Sequence, residues 1–170
     1  MRSKCLVVFF LLSFSSFVSG CSGILFQTPE IPIGGLNSQF ADEYPAYNGD
    51  GRYLAFASDR NGRRNIYLYD LEQRRLVSLP NLNRRDSSQD QPSLSNDGRY
   101  IAYVSTERGK TDVLVYDRQQ QRSQLLTANI RGEVQHPTIS GDGSSVAFQT
   151  TQGGNWNIAI VEVTSSRRSP

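Results

Sequence analysis

The 170-residue sequence predicts an all-β protein in which one antiparallel unit is used three times. The first observation behind this is a recurring segment: Pro45-Ala-Tyr-Asn-Gly-Asp-Gly-Arg-Tyr-Leu-Ala-Phe56, Pro92-Ser-Leu-Ser-Asn-Asp-Gly-Arg-Tyr-Ile-Ala-Tyr103 and Pro137-Thr-Ile-Ser-Gly-Asp-Gly-Ser-Ser-Val-Ala-Phe148. The prolines at 45, 92 and 137 are 47 and then 45 residues apart. Gly51, Gly98 and Gly143 keep those spacings, as do Ala55, Ala102 and Ala147, and Asn65, Asp112 and Asn157. A constant period in the forties marks one supersecondary unit repeated. The second observation is that the apolar residues come in short β-branched and aromatic runs parted by Gly, Asn and Asp, with no capped helical stripe. The third is Asp-Gly between such runs, a strong hairpin signal because glycine adopts positive φ without penalty.

Each unit then reads in the same order. A short segment at the proline leads into the Asp-Gly turn and a strand (53–57, 100–104, 146–149). A polar glycine turn follows, then a second strand (66–69, 113–116, 158–161), and a weaker fourth segment closes the first two copies (76–79, 124–127). The two middle strands are apolar at nearly consecutive positions, so both faces of each sheet are expected to be covered. The repeated alanine points to close approach of a neighbouring sheet. Four antiparallel strands per unit of about 45 residues, stacked face to face, make a propeller blade. A β-sandwich or β-solenoid could use similar hairpins, but period and strand count favour the propeller.

The blocks Ser95-Asn-Asp-Gly-Arg-Tyr-Ile-Ala-Tyr103 and Phe56-Ala-Ser-Asp-Arg-Asn-Gly-Arg-Arg-Asn-Ile-Tyr-Leu-Tyr-Asp70 resemble the TolB-type (WD40-like) β-propeller repeat, and Trp156-Asn-Ile fits the same slot in the third copy. The resemblance covers about residues 43 to 163. It implies three four-stranded antiparallel blades, half of a six-bladed ring, and contact with envelope lipoproteins or outer-membrane components. It implies no particular activity, since the repeat also occurs as a module in peptidases and other enzymes. Unlike TolB itself, this chain has no N-terminal α/β domain and half the blades.

Propellers close with about four to eight blades, so three leave the outer faces of the first and third units bare. Bare apolar faces mark association surfaces. Two copies about a twofold axis would supply six blades, giving a homodimeric ring; an open arc capped by another protein, or a shortened paralogue, are the alternatives. The third repeat ends after its third strand, while Glu30–Gly34 stands in the register of a fourth: Gly34 and Leu126 each precede a repeat proline by eleven residues. That segment could complete the last blade of its own chain or of a partner, although Pro29 and Pro32 suit only an edge strand.

Residues 1–20 read as a secretion signal. Arg2 and Lys4 open it, and the thirteen residues from Leu6 to Val18 form an apolar run too short to span a bilayer as a helix. The run ends in Val18-Ser19-Gly20-Cys21, which is similar to the lipobox of bacterial lipoproteins and makes Cys21 the expected lipid attachment site; ordinary signal cleavage is the alternative. Residues 21–43 then form a lipidated tether with the closing segment, 44–164 the repeat domain and 165–170 a polar tail. Without Cys5 the mature chain has one cysteine, so no internal disulfide forms. Without Arg2 and Lys4, the 18 basic residues become 16 against 16 acidic ones, a neutral balance that argues against nucleic acid as a partner.

Signals for chemistry are sparse. The only histidine, His136, precedes Pro137, and no Gly-x-Ser-x-Gly elbow accompanies it, so it reads as a loop side chain and no catalytic residue is expected. One His and no unmodified Cys leave no zinc set, and Asp50, Asp97 and Asp142 read as turn formers, so neither metal nor cofactor is expected. Arg60, Arg63, Arg64, Arg84, Arg85, Arg108, Lys110 and Arg131 fall in turns that share one rim, interleaved with six acidic residues. Trp156, in the corresponding third turn, is the best partner anchor, with Arg60, Arg63, Arg64 and Lys110 as candidate contacts beside it. The expected function is that of a non-catalytic protein-binding or scaffold module, lipid-anchored in the bacterial envelope and facing the periplasm. An accessory ligand- or glycan-binding domain for an envelope hydrolase is the alternative.

Overall fold

A computed structural model of the chain describes residues 35–164, which form eleven β-strands and no helix. The expected signal, Cys21, the closing segment at 30–34 and the tail at 165–170 lie outside the described residues. The first sheet has the order β1 (Asp42–Tyr47), β2 (Tyr53–Ser58), β3 (Asn65–Asp70) and β4 (Arg75–Val77). The second repeats it with β5 (Gln89–Leu94), β6 (Tyr100–Ser105), β7 (Asp112–Asp117) and β8 (Arg122–Leu125). The third holds β9 (Val134–Ile139), β10 (Ser145–Thr150) and β11 (Asn157–Glu162), three strands where the full blade has four. All pairings are antiparallel.

Two features fix this geometry, the first in all three repeats and the second in the first two. At the Asp-Gly turn, the first side chain caps the strand that follows: Asn48 Oδ1, Ser95 Oγ and Ser140 Oγ accept the amides of Tyr53, Tyr100 and Ser145 at 2.8, 3.0 and 3.0 Å. Asp50, Asp97 and Asp142 accept the amides of the residue two positions on. Directly after that turn, Arg52 pairs with Asp70 and Arg99 with Asp117, the same two positions one repeat apart. Asp70 and Asp117 also accept amides of the next turn, so one carboxylate ties three strands together. The third repeat has Ser144 and Glu162 at these positions and no such pair.

The sheets pack face to face. Ala55, Ala57, Ile66 and Leu68 of the first meet Leu94, Ile101, Tyr103, Leu114 and Tyr116 of the second. Ala102, Val113 and Val115 of the second meet Ile139, Val146 and Phe148 of the third. Burying each large side chain contributes ~1.5–3 kcal/mol. The small side chain at Ala55 and Ala102, both fully buried, admits the ring of the neighbouring sheet, as the sequence suggests. Both faces of β7 are buried throughout, whereas β11 is exposed on alternate residues, because only the middle sheet has neighbours on both sides.

Candidate protein-binding surfaces

The first strands of the sheets lie side by side, β1 by β5 and β5 by β9, and form the concave inner edge of the arc. Each of these strands carries a β-bulge at the same place. Tyr44 and Pro45 oppose Phe56; Gln91 and Pro92 oppose Tyr103; His136 and Pro137 oppose Phe148. The bulged residue takes a left-handed conformation every time, with φ of 52°, 52° and 51° at Tyr44, Gln91 and His136. Such a conformation costs a non-glycine residue ~1–3 kcal/mol, and bulges re-aim side chains. The three bulges line one shallow cavity of about 210 Å³, together with Pro45, Pro92, Pro137 and Thr138. The row is coupled internally, since the His136 amide donates to Gln91 Oε1 at 2.5 Å.

The expected contact residues divide into two groups. Arg60 and Arg64 point into the molecule. The Arg60 guanidinium donates to the carbonyls of Gly35 and Leu36 and to Asp42, and lies over the Phe56 and Tyr67 rings. It clamps residues 35–42 onto the first sheet, so part of the expected tether belongs to the fold. Arg64 joins Glu43 and Asp59 of its own repeat to Asp90 of the next, at 3.1 Å from both Asp59 and Asp90, and lies over Tyr44. Burial opposes its charge, but the carboxylates of Glu43 and Asp90 outweigh that and hold its pKa raised. Arg64→Ala is expected to lower stability by ~1–2 kcal/mol by uncoupling the first two sheets, read as a shifted denaturation midpoint with an unchanged slope.

Lys110 is half occupied, its ammonium 2.6 Å from the buried Asp112 carboxylate, which also accepts the Thr127 hydroxyl. Arg63 and Trp156 are exposed. Trp156 sits in the turn before β11 and is 47% exposed, and beyond it Ile158 and Ile160 project from the outer face of the third sheet at 67% and 69%. Among the described residues no three of His, Cys, Asp or Glu are grouped to hold a metal ion. Sequence reasoning missed Tyr44 and Gln91. The one available signal was that each precedes the repeat proline, as His136 does.

Antiparallel sheets packed face to face with their first strands inward define an arc of a β-propeller. The chain belongs to the TolB beta propeller domain family, whose signature matches residues 36–169. Solved structures agree on the fold. TolB from Acinetobacter baumannii superposes with a TM-score of 0.62 at 20% identity, over 77% of this chain and 34% of that one. An oligogalacturonate lyase from Vibrio parahaemolyticus gives 0.55 at 17% identity, over 75% and 37%. A puromycin-hydrolyzing peptidase from Mycobacterium tuberculosis gives 0.56 at 17%, over 77% and 20%. The chain thus spans between a fifth and about a third of these proteins. No curated protein matches it.

Proposed function

We propose that this chain is a non-catalytic protein-binding module of the bacterial cell envelope, held to a membrane by lipid on Cys21 and recognising an envelope protein along the inner edge of its arc. The observation that carries the reading is the row of Tyr44, Gln91 and His136, three repeat-equivalent side chains held in left-handed backbone beside one cavity. Strained non-glycine residues concentrate where side chains must be aimed. Membership of a family that includes TolB supports a binding role, and the lipobox-like Val18–Cys21 supports the anchor. Acyl chains contribute ~0.8 kcal/mol per buried methylene, enough for two or three to hold a protein at a bilayer.

A photoreactive residue at Gln91 of the full chain, crosslinked in living cells, is the test. The expected product is one recurrent envelope-protein adduct that is lost with Tyr44→Ala and is not formed from a probe at the exposed outer position Arg75. Adducts in equal yield from both probes, or none from the inner edge, would defeat the reading. Cys21→Ser is expected to move the protein from the membrane to the soluble fraction.

A further inference from the structure

We propose that Asn61 is a site of spontaneous covalent modification, where the chain loses the side-chain amide to the backbone nitrogen of Gly62 and gains a carboxylate in the turn between β2 and β3. Five places in the sequence set an amide or acid side chain before glycine: Asn48-Gly49, Asp50-Gly51, Asn61-Gly62, Asp97-Gly98 and Asp142-Gly143. Glycine in the second position leaves the following nitrogen unhindered, because no side chain shields it. The three aspartates are ionised at neutral pH, and a carboxylate offers no leaving group. That leaves the two asparagines, and the fold treats them in opposite ways.

Asn48 is buried, at 5% exposure, and both ends of its amide are in use. Its Oδ1 accepts the Tyr53 amide at 2.8 Å, and its Nδ2 donates to the Asn96 carbonyl at 3.1 Å. The nitrogen that would attack it, on Gly49, donates to the same Asn96 carbonyl at 3.1 Å. Asn61 and Gly62 are both exposed. Gly62 has a φ of 73°, and nothing lies within 4 Å of the position a side chain there would take. The hydrogen bonds of this turn are made by its neighbours: the Arg60 amide to Ser58 Oγ, Arg64 to Asp59, and the Gly62 amide to the Asp59 carbonyl at 2.8 Å. The Asn61 side chain takes part in none of these. The bond from Gly62 must open before its nitrogen attacks, and at an exposed tip such opening costs little. The other two repeats have Arg108-Gly109 and Gly153-Gly154 here, so only the first carries the amide.

The reaction balances with water as its only co-reactant. Gly62 N bonds to Asn61 Cγ as the Cγ–Nδ2 bond breaks, and ammonia departs with the proton of the Gly62 nitrogen. Water then opens the cyclic imide on either side of that nitrogen. Opening at Cγ gives ordinary aspartate. Opening at the former main-chain carbonyl gives isoaspartate, whose backbone is one carbon longer. The turn that Gly62 closes on Asp59 is then altered, next to the Arg60 that clamps residues 35–42.

The test follows the full chain carrying Cys21→Ser by intact mass and fragmentation, incubated without denaturant at neutral and at mildly alkaline pH. A single amide-to-acid mass gain is expected, assigned to Asn61 and labelled by an isoaspartyl methyltransferase. It is faster at the higher pH, because the attacking nitrogen must lose its proton. Asn61→Gln is expected to abolish it, the longer side chain closing its ring far more slowly. In urea Asn48 is expected to convert as well. A folded chain that keeps its mass while the urea-treated chain gains it, or Asn48 converting as fast as Asn61 in the folded chain, overturns the proposal.

Discussion

Gly143→Ala is expected to destabilise the protein by about 2–5 kcal/mol, while Gly109→Ala, at the same φ of 75°, costs about 1–2 kcal/mol. Both substitutions put a side chain in the left-handed region, and that strain is common to them. They differ in surroundings. Nothing lies within 4 Å of a methyl group at Gly109, whereas one at Gly143 would land inside the Tyr100 ring of the neighbouring sheet. Tyr100 is itself held by Arg99 over its ring and by the hydrogen bond its backbone N–H donates to Ser95 Oγ, so withdrawing the ring disturbs the turn. Urea midpoints at equal slope measure the difference. If the two variants unfold together, the ring-on-glycine contact is not what spaces the second and third sheets.

Acid is expected to unfold the protein through the turn aspartates. Burial alone would raise Asp117, but the Arg99 guanidinium and the amides of Gln120 and Gln119 outweigh it and hold the carboxyl below its ordinary 3.8. Asp97 is likewise raised by burial and pulled lower by the Ser95 hydroxyl and the Arg99 amide. The Gln73 amide lowers Asp70, the Arg52 amide lowers Asp50, and the hydroxyl of Ser140 with the amide and hydroxyl of Ser144 holds Asp142 at about 2. Each depressed carboxyl binds its proton less readily in the folded chain than in the unfolded one. Their stabilisation is therefore complete above about pH 5 and lost progressively as pH falls from about 4 toward 2. Asp117→Asn is expected to cost ~2 kcal/mol at pH 7 and less at pH 3, below the ordinary 3.8, where the unfolded chain takes up a proton that the folded carboxyl resists. Thermal midpoints of the two proteins at both pH values check it, and a cost that does not shrink on acidification would mean that packing, not charge, is lost at this position.

The periodic parts of the fold were legible in the sequence because they depend on local chemistry. The Asp-Gly turns, the alanine at the sheet contact and the two middle strands fall where the spacing puts them, within a residue or two. The first strand of each sheet was read only as a short segment at the proline, yet β1, β5 and β9 each run six residues. Proline withholds a ladder amide, and the bulge before it absorbs that loss; Tyr44, Gln91 and His136 are not turn formers, so nothing local announced their left-handed backbone. The outermost segments begin earlier than expected, at Arg75 and Arg122, because polar residues can pair at an exposed edge. Arg60 and Arg64 read as rim charges because both stand in polar turns. Their partners Asp42 and Asp90 come from distant strands, which no spacing argument reaches. Trp156, by contrast, needs no partner to be exposed and is.

The unequal burial of β7 and β11 bears on how the chain acquires its shape. During synthesis the first sheet emerges with no surface to lean on, and the last arrives to find one already made. The central forty-odd residues therefore act as the template for both flanks, and a lesion there forfeits two interfaces at once. Damage confined to the final hairpin forfeits one, leaving the remainder able to hold together.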